Sequence, residues 1–180
     1  MDHATIDFET RSACNLKKSG SWRYSLDPTT EILCLAFRLP YWDDDRTSLW
    51  HPAFPHLGIP EAENDDDVAE LLEWIDVGGL IEAHNAWFER GIWTNILSAQ
   101  YGWPSIRPTQ WRCSAAKAAT HALPRSLEGA CTALRLTISK DAVGHKLMLK
   151  LSKPRKPRKA EREAGTTGLL WWESRDLFGR

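Results

Sequence analysis

The sequence predicts an α/β domain, and three observations predict it. Apolar segments of strand length, rich in β-branched and aromatic residues, come early, at residues 4–10, 31–39 and 47–50. Two more, at 80–84 and 109–113, alternate with stretches whose apolar residues recur every three or four positions, which is the helical period. The remainder reads as short helices. Meandering strands followed by strand-helix units describe a sheet flanked by helices. With 180 residues, 42% hydrophobic and 26% charged, the chain is expected to be one ordinary globular domain spanning 1–180, large enough to bury a core.

The elements follow in order. Ala4 to Thr10 is an apolar start running into Asp7 and Glu9, a short strand. Arg11 to Thr30 reads as a polar, turn-rich connection with Gly20 and Asp27-Pro28. Ile32, Leu33, Cys34, Leu35, Ala36 and Phe37 make the second strand, and Asp43-Asp44-Asp45 the hairpin turn into a third strand at Thr47 to Trp50. Acids in such a turn face water. His51 to Asn64 is Pro-rich and irregular, after which Asn64 or Asp65 caps a helix with Val68, Leu71, Leu72 and Ile75 on one face. Gly78-Gly79 ends it. Leu80 to His84 is a fourth strand, and Asn85 is a candidate N-cap for a helix carrying Trp87, Phe88, Ile92, Trp93, Ile96 and Leu97 as far as Tyr101-Gly102. Thr109 to Cys113 is the fifth strand. Ser114 to Ala122, Ser126 to Leu136 and Asp141 to Leu151 are the last helices. Five of the eight residues in Ser152-Lys-Pro-Arg-Lys-Pro-Arg-Lys159 are basic, and the prolines keep them extended, either lining a groove or forming a solvated tail.

Net charge is −1, yet the first hundred residues hold 7 Lys and Arg against 18 Asp and Glu, and the last eighty hold 16 against 6. A cation-collecting half and a phosphate-collecting half would look like this, as would chance clustering of solvated faces. Cys14, Cys34, Cys113 and Cys131 form no Cys-x-x-Cys pair and read as free thiols, with Cys34 and Cys131 in the core. The start is unlike a signal peptide, and no apolar run approaches the ~18 residues that cross a bilayer, so a cytoplasmic location without membrane contact is expected.

The chemistry concentrates in two stretches. In Ala4-Thr-Ile-Asp7-Phe-Glu9-Thr10, residues i and i+2 of a strand share a face, so Asp7 and Glu9 converge. Paired carboxylates suit a hard divalent cation, although an isolated Asp-x-Glu is more often a strand whose acids face water. In Asn85-Ala-Trp-Phe88-Glu89, Glu89 sits on the first turn of a helix, where the dipole favours a carboxylate and from which it can lean over the strand ends.

Together these stretches resemble motifs I and II of the DEDD superfamily of 3′→5′ exonucleases, Asp-x-Glu-Thr and Asn-x-x-(Phe/Tyr)-Asp, and in particular the proofreading domains of phage-type family A DNA polymerases. The similarity runs along the chain, through the Lys-Pro-Arg segment to Gly168-Leu-Leu-Trp-Trp-Glu173. It implies a ribonuclease-H-like mixed five-stranded sheet flanked by helices. It also implies metal-dependent hydrolysis of DNA from its 3′ end, with two divalent cations, Mg²⁺ or Mn²⁺, as cofactors. By resemblance Asp7 would bridge both cations, Glu9 would bind the nucleophile-side one, and Glu89, where most of the superfamily has Asp, would hold a metal-bound water.

The resemblance further implies that Phe8 and Thr10 touch the terminal nucleotide, while Asn85 and Phe88 shape the pocket floor. Read from the residues alone, Phe8 and Phe88 fit a core as well, and Asn85 a simple cap. Lys153, Arg155, Lys156 and Arg158 would meet the backbone of a single-stranded DNA. In the family the Arg11 to Thr30 connection closes over one side of the site, with Leu16, Trp22 and Tyr24 as anchors. Motif III, a Tyr followed four residues later by an Asp, has no counterpart: Asp176 is preceded at that spacing by Trp172. The chain is therefore expected to stop short of it, with impaired activity. The implied partners are a single-stranded DNA 3′ end and a polymerase domain, in cis or in trans. The rival expectation is a catalytically silent module that binds single-stranded DNA, or a fragment of a split polymerase.

Overall fold

The computed structural model describes residues 3–43, 46–55, 58–137 and 141–172. Asp44, Asp45, Glu173 and Asp176 lie outside the described residues. Five strands form one sheet: β1 (His3–Arg11), β2 (Glu31–Arg38), β3 (Ser48–Trp50), β4 (Leu80–Ala83) and β5 (Trp111–Cys113). Their order is β3-β2-β1-β4-β5, with β1/β2 and β2/β3 antiparallel and β1/β4 and β4/β5 parallel. This mixed sheet flanked by helices is compatible with a ribonuclease-H-like fold.

The long central strand follows from its period. Ala4, Ile6 and Phe8 are buried on one face, while Thr5, Asp7 and Glu9 occupy the other. Cross-strand pairing keeps the faces matched: Ile6 opposes Phe37 and Phe8 opposes Leu35, whereas Asp7 opposes Ala36 and Glu9 opposes Cys34. Between Glu9 and Thr10 the register slips, since Thr10 opposes Ile32 and Leu33 is the extra residue. Such a bulge bends a strand where it leaves the sheet.

Helices α2 (Asp65–Asp76) and α3 (Trp87–Ile92) carry the predicted apolar faces, except that Trp87, expected on the buried side of α3, is 54% exposed. Leu71 and Ile75 of α2, with Ile92, Trp93, Ile96 and Leu97, are buried against the sheet. From Trp93 to Ser98 the second of these helices widens into a π-helical segment. Trp93 connects the core through aromatic contacts, 6.3 Å from Phe8 and 5.4 Å from Trp103, and Trp103 is 4.9 Å from Trp50.

Several elements depart from expectation. The connection after β1 is a helix, α1 (Leu16–Ser25), where turns were expected. The Asn15 side chain caps it by accepting from Lys18 N at 3.2 Å, and Gly20, at φ 76°, kinks it into two turns. A left-handed φ in mid-helix suits Gly alone among ordinary residues. Asn85 does not cap α3: it is exposed at φ 66°, and the cap position is Ala86 with no side-chain bond. Asn64 precedes α2 but spends its side chain on Ser48 Oγ at 2.8 Å.

β5 is shorter than predicted because Pro108–Gln110 form a 3-10 turn. The later helices are also shorter, α4 at Ser114–Thr120 and α5 at Leu127–Ala133, while α6 spans Ala142–Leu151 behind its Asp141 cap. An unpredicted α7 (Lys159–Glu163) follows the basic segment. Cys34 and Cys131 are half-buried, not core, and the four cysteines are free thiols. Among the described residues no helix is long and apolar enough to cross a membrane.

Candidate active site

Because Asp7 and Glu9 share the face of β1 opposite Phe8, they open into a cleft of about 420 Å³. Its floor is β1. One wall comes from α1 and the turn before it, through Asn15, Leu16, Lys17 and Tyr24, and Phe88 of α3 stands beside them. The opposite wall is the end of α6 and the turn after it, through Met148, Leu149, Ser152 and Lys153. A hydrogen bond from Ser12 N to Ser152 O, 3.1 Å, ties that wall to the end of β1. Arg11 stacks beneath Trp171 at 4.8 Å and pairs with Glu31, which holds the later chain over the same edge.

Asp7 reaches solvent at the cleft, but surrounding protein atoms desolvate it and raise its pKa, with His84 opposing the shift. Glu89 is 4% exposed and its Oε2 has no hydrogen-bond partner. Desolvation raises it to about 8, a backbone amide resists, and the nearby Asp7 carboxylate adds to the rise. The two acids from β1 and α3 are thus electrostatic neighbours. An unpartnered carboxylate oxygen in such a place takes either a proton or a cation. Yet among the described residues no three His, Cys, Asp or Glu side chains are gathered closely enough to hold a metal ion.

The other predicted residues divide. Phe88 lines the cleft, half-buried and 5.9 Å from Tyr24. Thr10 is buried, its hydroxyl 3.0 Å from the Tyr24 hydroxyl, so that group is already engaged within the protein. Phe8 borders the cleft but is 5% exposed, and its ring packs edge-on against Trp93 in the core. Asn85 is on the exposed turn after β4 and is not among the lining residues.

Of the basic segment, Lys153 lines the cleft and Lys156 and Arg158 are exposed. Arg155 is turned inward. Its guanidinium makes two 2.7 Å bonds to Glu161, and its backbone pairs with Leu170, closing residues 155–170 into a loop around α7. Leu16 and Trp22, expected as anchors, are 40% and 39% exposed, while Tyr24 is the true anchor at 5%.

Among the contributors that sequence reasoning missed, two matter most. The first is the α6 wall of Met148 and Leu149, which only the tertiary fold brings to β1. The second is His84, bonded through its ring nitrogens to Ser114 Oγ (3.0 Å) and Arg125 O (2.9 Å), which places a polarisable ring near Asp7. Its position one residue before Asn85 was the only signal that could have found it.

The chain is similar to part of a phage DNA polymerase. The relative is the DNA polymerase of Bacillus phage SP02, 35% identical over 161 residues that make up 89% of this chain and 22% of the polymerase. The chain thus spans about a fifth of the length of the curated relative it matches. No family model matches it.

Proposed function

We propose that the chain is the 3′→5′ exonuclease domain of a phage-type DNA polymerase, acting on the end of a single-stranded DNA. The observation that carries this reading is the cleft itself: Asp7 and Glu9 on its floor, and Glu89 buried next to Asp7 with an unshared oxygen. The similarity to a phage polymerase over most of the chain supports it.

The donor chemistry suits the divalent cations that the family implies, since carboxylate oxygens are hard donors and one of them is orphaned, although the three side chains are not drawn into one cluster among the described residues. Asp7, Glu9 and Glu89 would hold Mg²⁺ or Mn²⁺, and such a cation polarises a phosphoryl oxygen and acidifies bound water. The chain's own groups do the rest. Phe88, Leu149 and Met148 form apolar walls for a terminal sugar and base, and Lys153 brings a positive charge to the phosphate side. Tyr24 fixes Thr10, and with it the backbone next to Glu9. Because Glu89 keeps its proton near neutral pH, affinity for a cation rises as pH approaches 8. A polymerase domain, in cis or in trans, is the partner this reading supplies.

A second reading, single-strand binding without hydrolysis, is favoured by one observation, the lack of a three-ligand cluster among the described residues. A 5′-labelled oligonucleotide incubated with Mg²⁺ or Mn²⁺ separates the two. Stepwise shortening that stops with chelator and in Asp7→Asn is expected from the exonuclease. Retained binding with no shortening would establish the second reading in its place.

A further inference from the structure

Four of the seven Lys and Arg in the first hundred residues fall between positions 11 and 23. Three of them, Lys17, Lys18 and Arg23, are exposed on α1, which contains no acid. In an otherwise acidic half this is a local reversal of charge, and it borders the cleft, because Leu16 and Lys17 line it.

A second, independent feature lies on the same element. Trp22 and Trp87 are 39% and 54% exposed, with rings 5.9 Å apart at 32°, and the Arg90 guanidinium stands 5.4 Å from the Trp87 ring. Two adjacent indoles left this open are unusual for a merely solvated face. Their placement is also rigid. Ser25 Oγ donates to the Trp22 carbonyl at 2.8 Å and accepts from Asn95 Nδ2 at 2.8 Å, so the end of α1 is bolted to the π-helical segment that continues α3. The helices meet so closely that a Cβ on Gly91 would lie 3.0 Å from Ser25 Oγ.

Cations beside exposed indoles are the chemistry that holds a single strand: charge for the phosphates, flat rings for the bases. We propose that α1 and the start of α3 form a shelf that holds single-stranded nucleic acid outside the cleft, phosphates on Lys17, Lys18 and Arg23 and a base against Trp22 and Trp87. The shelf rests on the exonuclease reading, since it extends the strand whose end the cleft takes.

The test uses the full chain with chelator present, so that binding is read without hydrolysis, and measures fluorescence anisotropy of 5′-fluorescein dT3, dT12 and U12. The 12-mer should bind more tightly than dT3, and Trp87→Ala should weaken the 12-mer by about tenfold or more while leaving dT3 unchanged. Lys17→Gln with Lys18→Gln, both at exposed positions that do not threaten folding, should lower the slope of log affinity against log salt by roughly 1.4 for the 12-mer. Whichever of dT12 and U12 responds to the variants is the occupant, and response by neither overturns the shelf. If neither 12-mer binds better than dT3, the shelf is wrong and the cleft reading stands. If no oligonucleotide binds, the shelf is wrong, and the cleft reading is then judged by the shortening assay with Mg²⁺ or Mn²⁺. If heparin competes equally with wild type and Trp87→Ala, the surface is charge alone and the stacking claim is wrong.

Discussion

Glu89 is the residue on which most of the proposed chemistry turns. Its usual pKa is 4.5, and in the folded chain it stands at about 8. Below pH 4.5 both the folded and unfolded states are protonated, so nothing is lost. Between 4.5 and 8 the unfolded chain gives up the proton while the folded chain keeps it, and stability falls as pH rises; above 8 the loss is complete. Glu89→Gln removes the titration and keeps the shape. Its melting temperature should match wild type near pH 4.5 and exceed it by roughly 5–10 °C at pH 8 without divalent cation. Parallel melting curves across that range would mean that Glu89 is not a buried acid.

Arg155 shows the same rule with the opposite sign. Its bidentate bond, together with the Arg158 amide, holds Glu161 down at about 2. That contribution is present above pH 4.5 and is lost as pH falls through 2. Arg155→Ala should therefore expose residues 152–172 to limited proteolysis at neutral pH, and unchanged cleavage would argue against the inward placement.

At the scale of elements, α1 carries the sharpest prediction. Gly20 has open space where a Cβ would go, so Gly20→Ala tests backbone strain alone. A destabilisation of about 1–2 kcal/mol is expected, measured by urea unfolding, with the α1 wall of the cleft loosened. A neutral substitution would mean that the kink is not fixed by the left-handed φ. This helix was illegible because its signals conflict: a good Asn15 cap, then a Gly early in a polar ten-residue stretch with no apolar stripe. By contrast β1 was legible through its period of two, and α2 and α3 through theirs, since each buries one face. The chain after α6 was half legible. Prolines do keep 153–158 extended, but the Arg158 to Glu161 capping box that starts α7, and the burial of Arg155, depend on a partner strand at Leu170.

Across the whole molecule, the acidic first half and the basic second half meet at one cleft, with Asp7 and Glu9 on its floor and Lys153 on one wall, while Lys17 of the first half stands on the other. The carboxylates were legible because a strand and a first helical turn fix their directions locally. The α6 wall was not, because Met148 and Leu149 arrive from a distant segment, whereas Tyr24 was expected from the resemblance. Trp93 joins this cleft to the core, since it is fully buried and packs against Phe8 behind Asp7. Trp93→Ala should cost about 3–5 kcal/mol in denaturant unfolding, far more than Trp87→Ala on the surface.

The central claim is that Asp7 and Glu89 belong to one cation site, and an Mn²⁺ titration followed by electron paramagnetic resonance tests it most directly. Saturable binding is expected, stronger at pH 8 than at pH 6 because Glu89 titrates at about 8, and lost in both Asp7→Asn and Glu89→Gln. Binding that is unchanged in those two variants would contradict it.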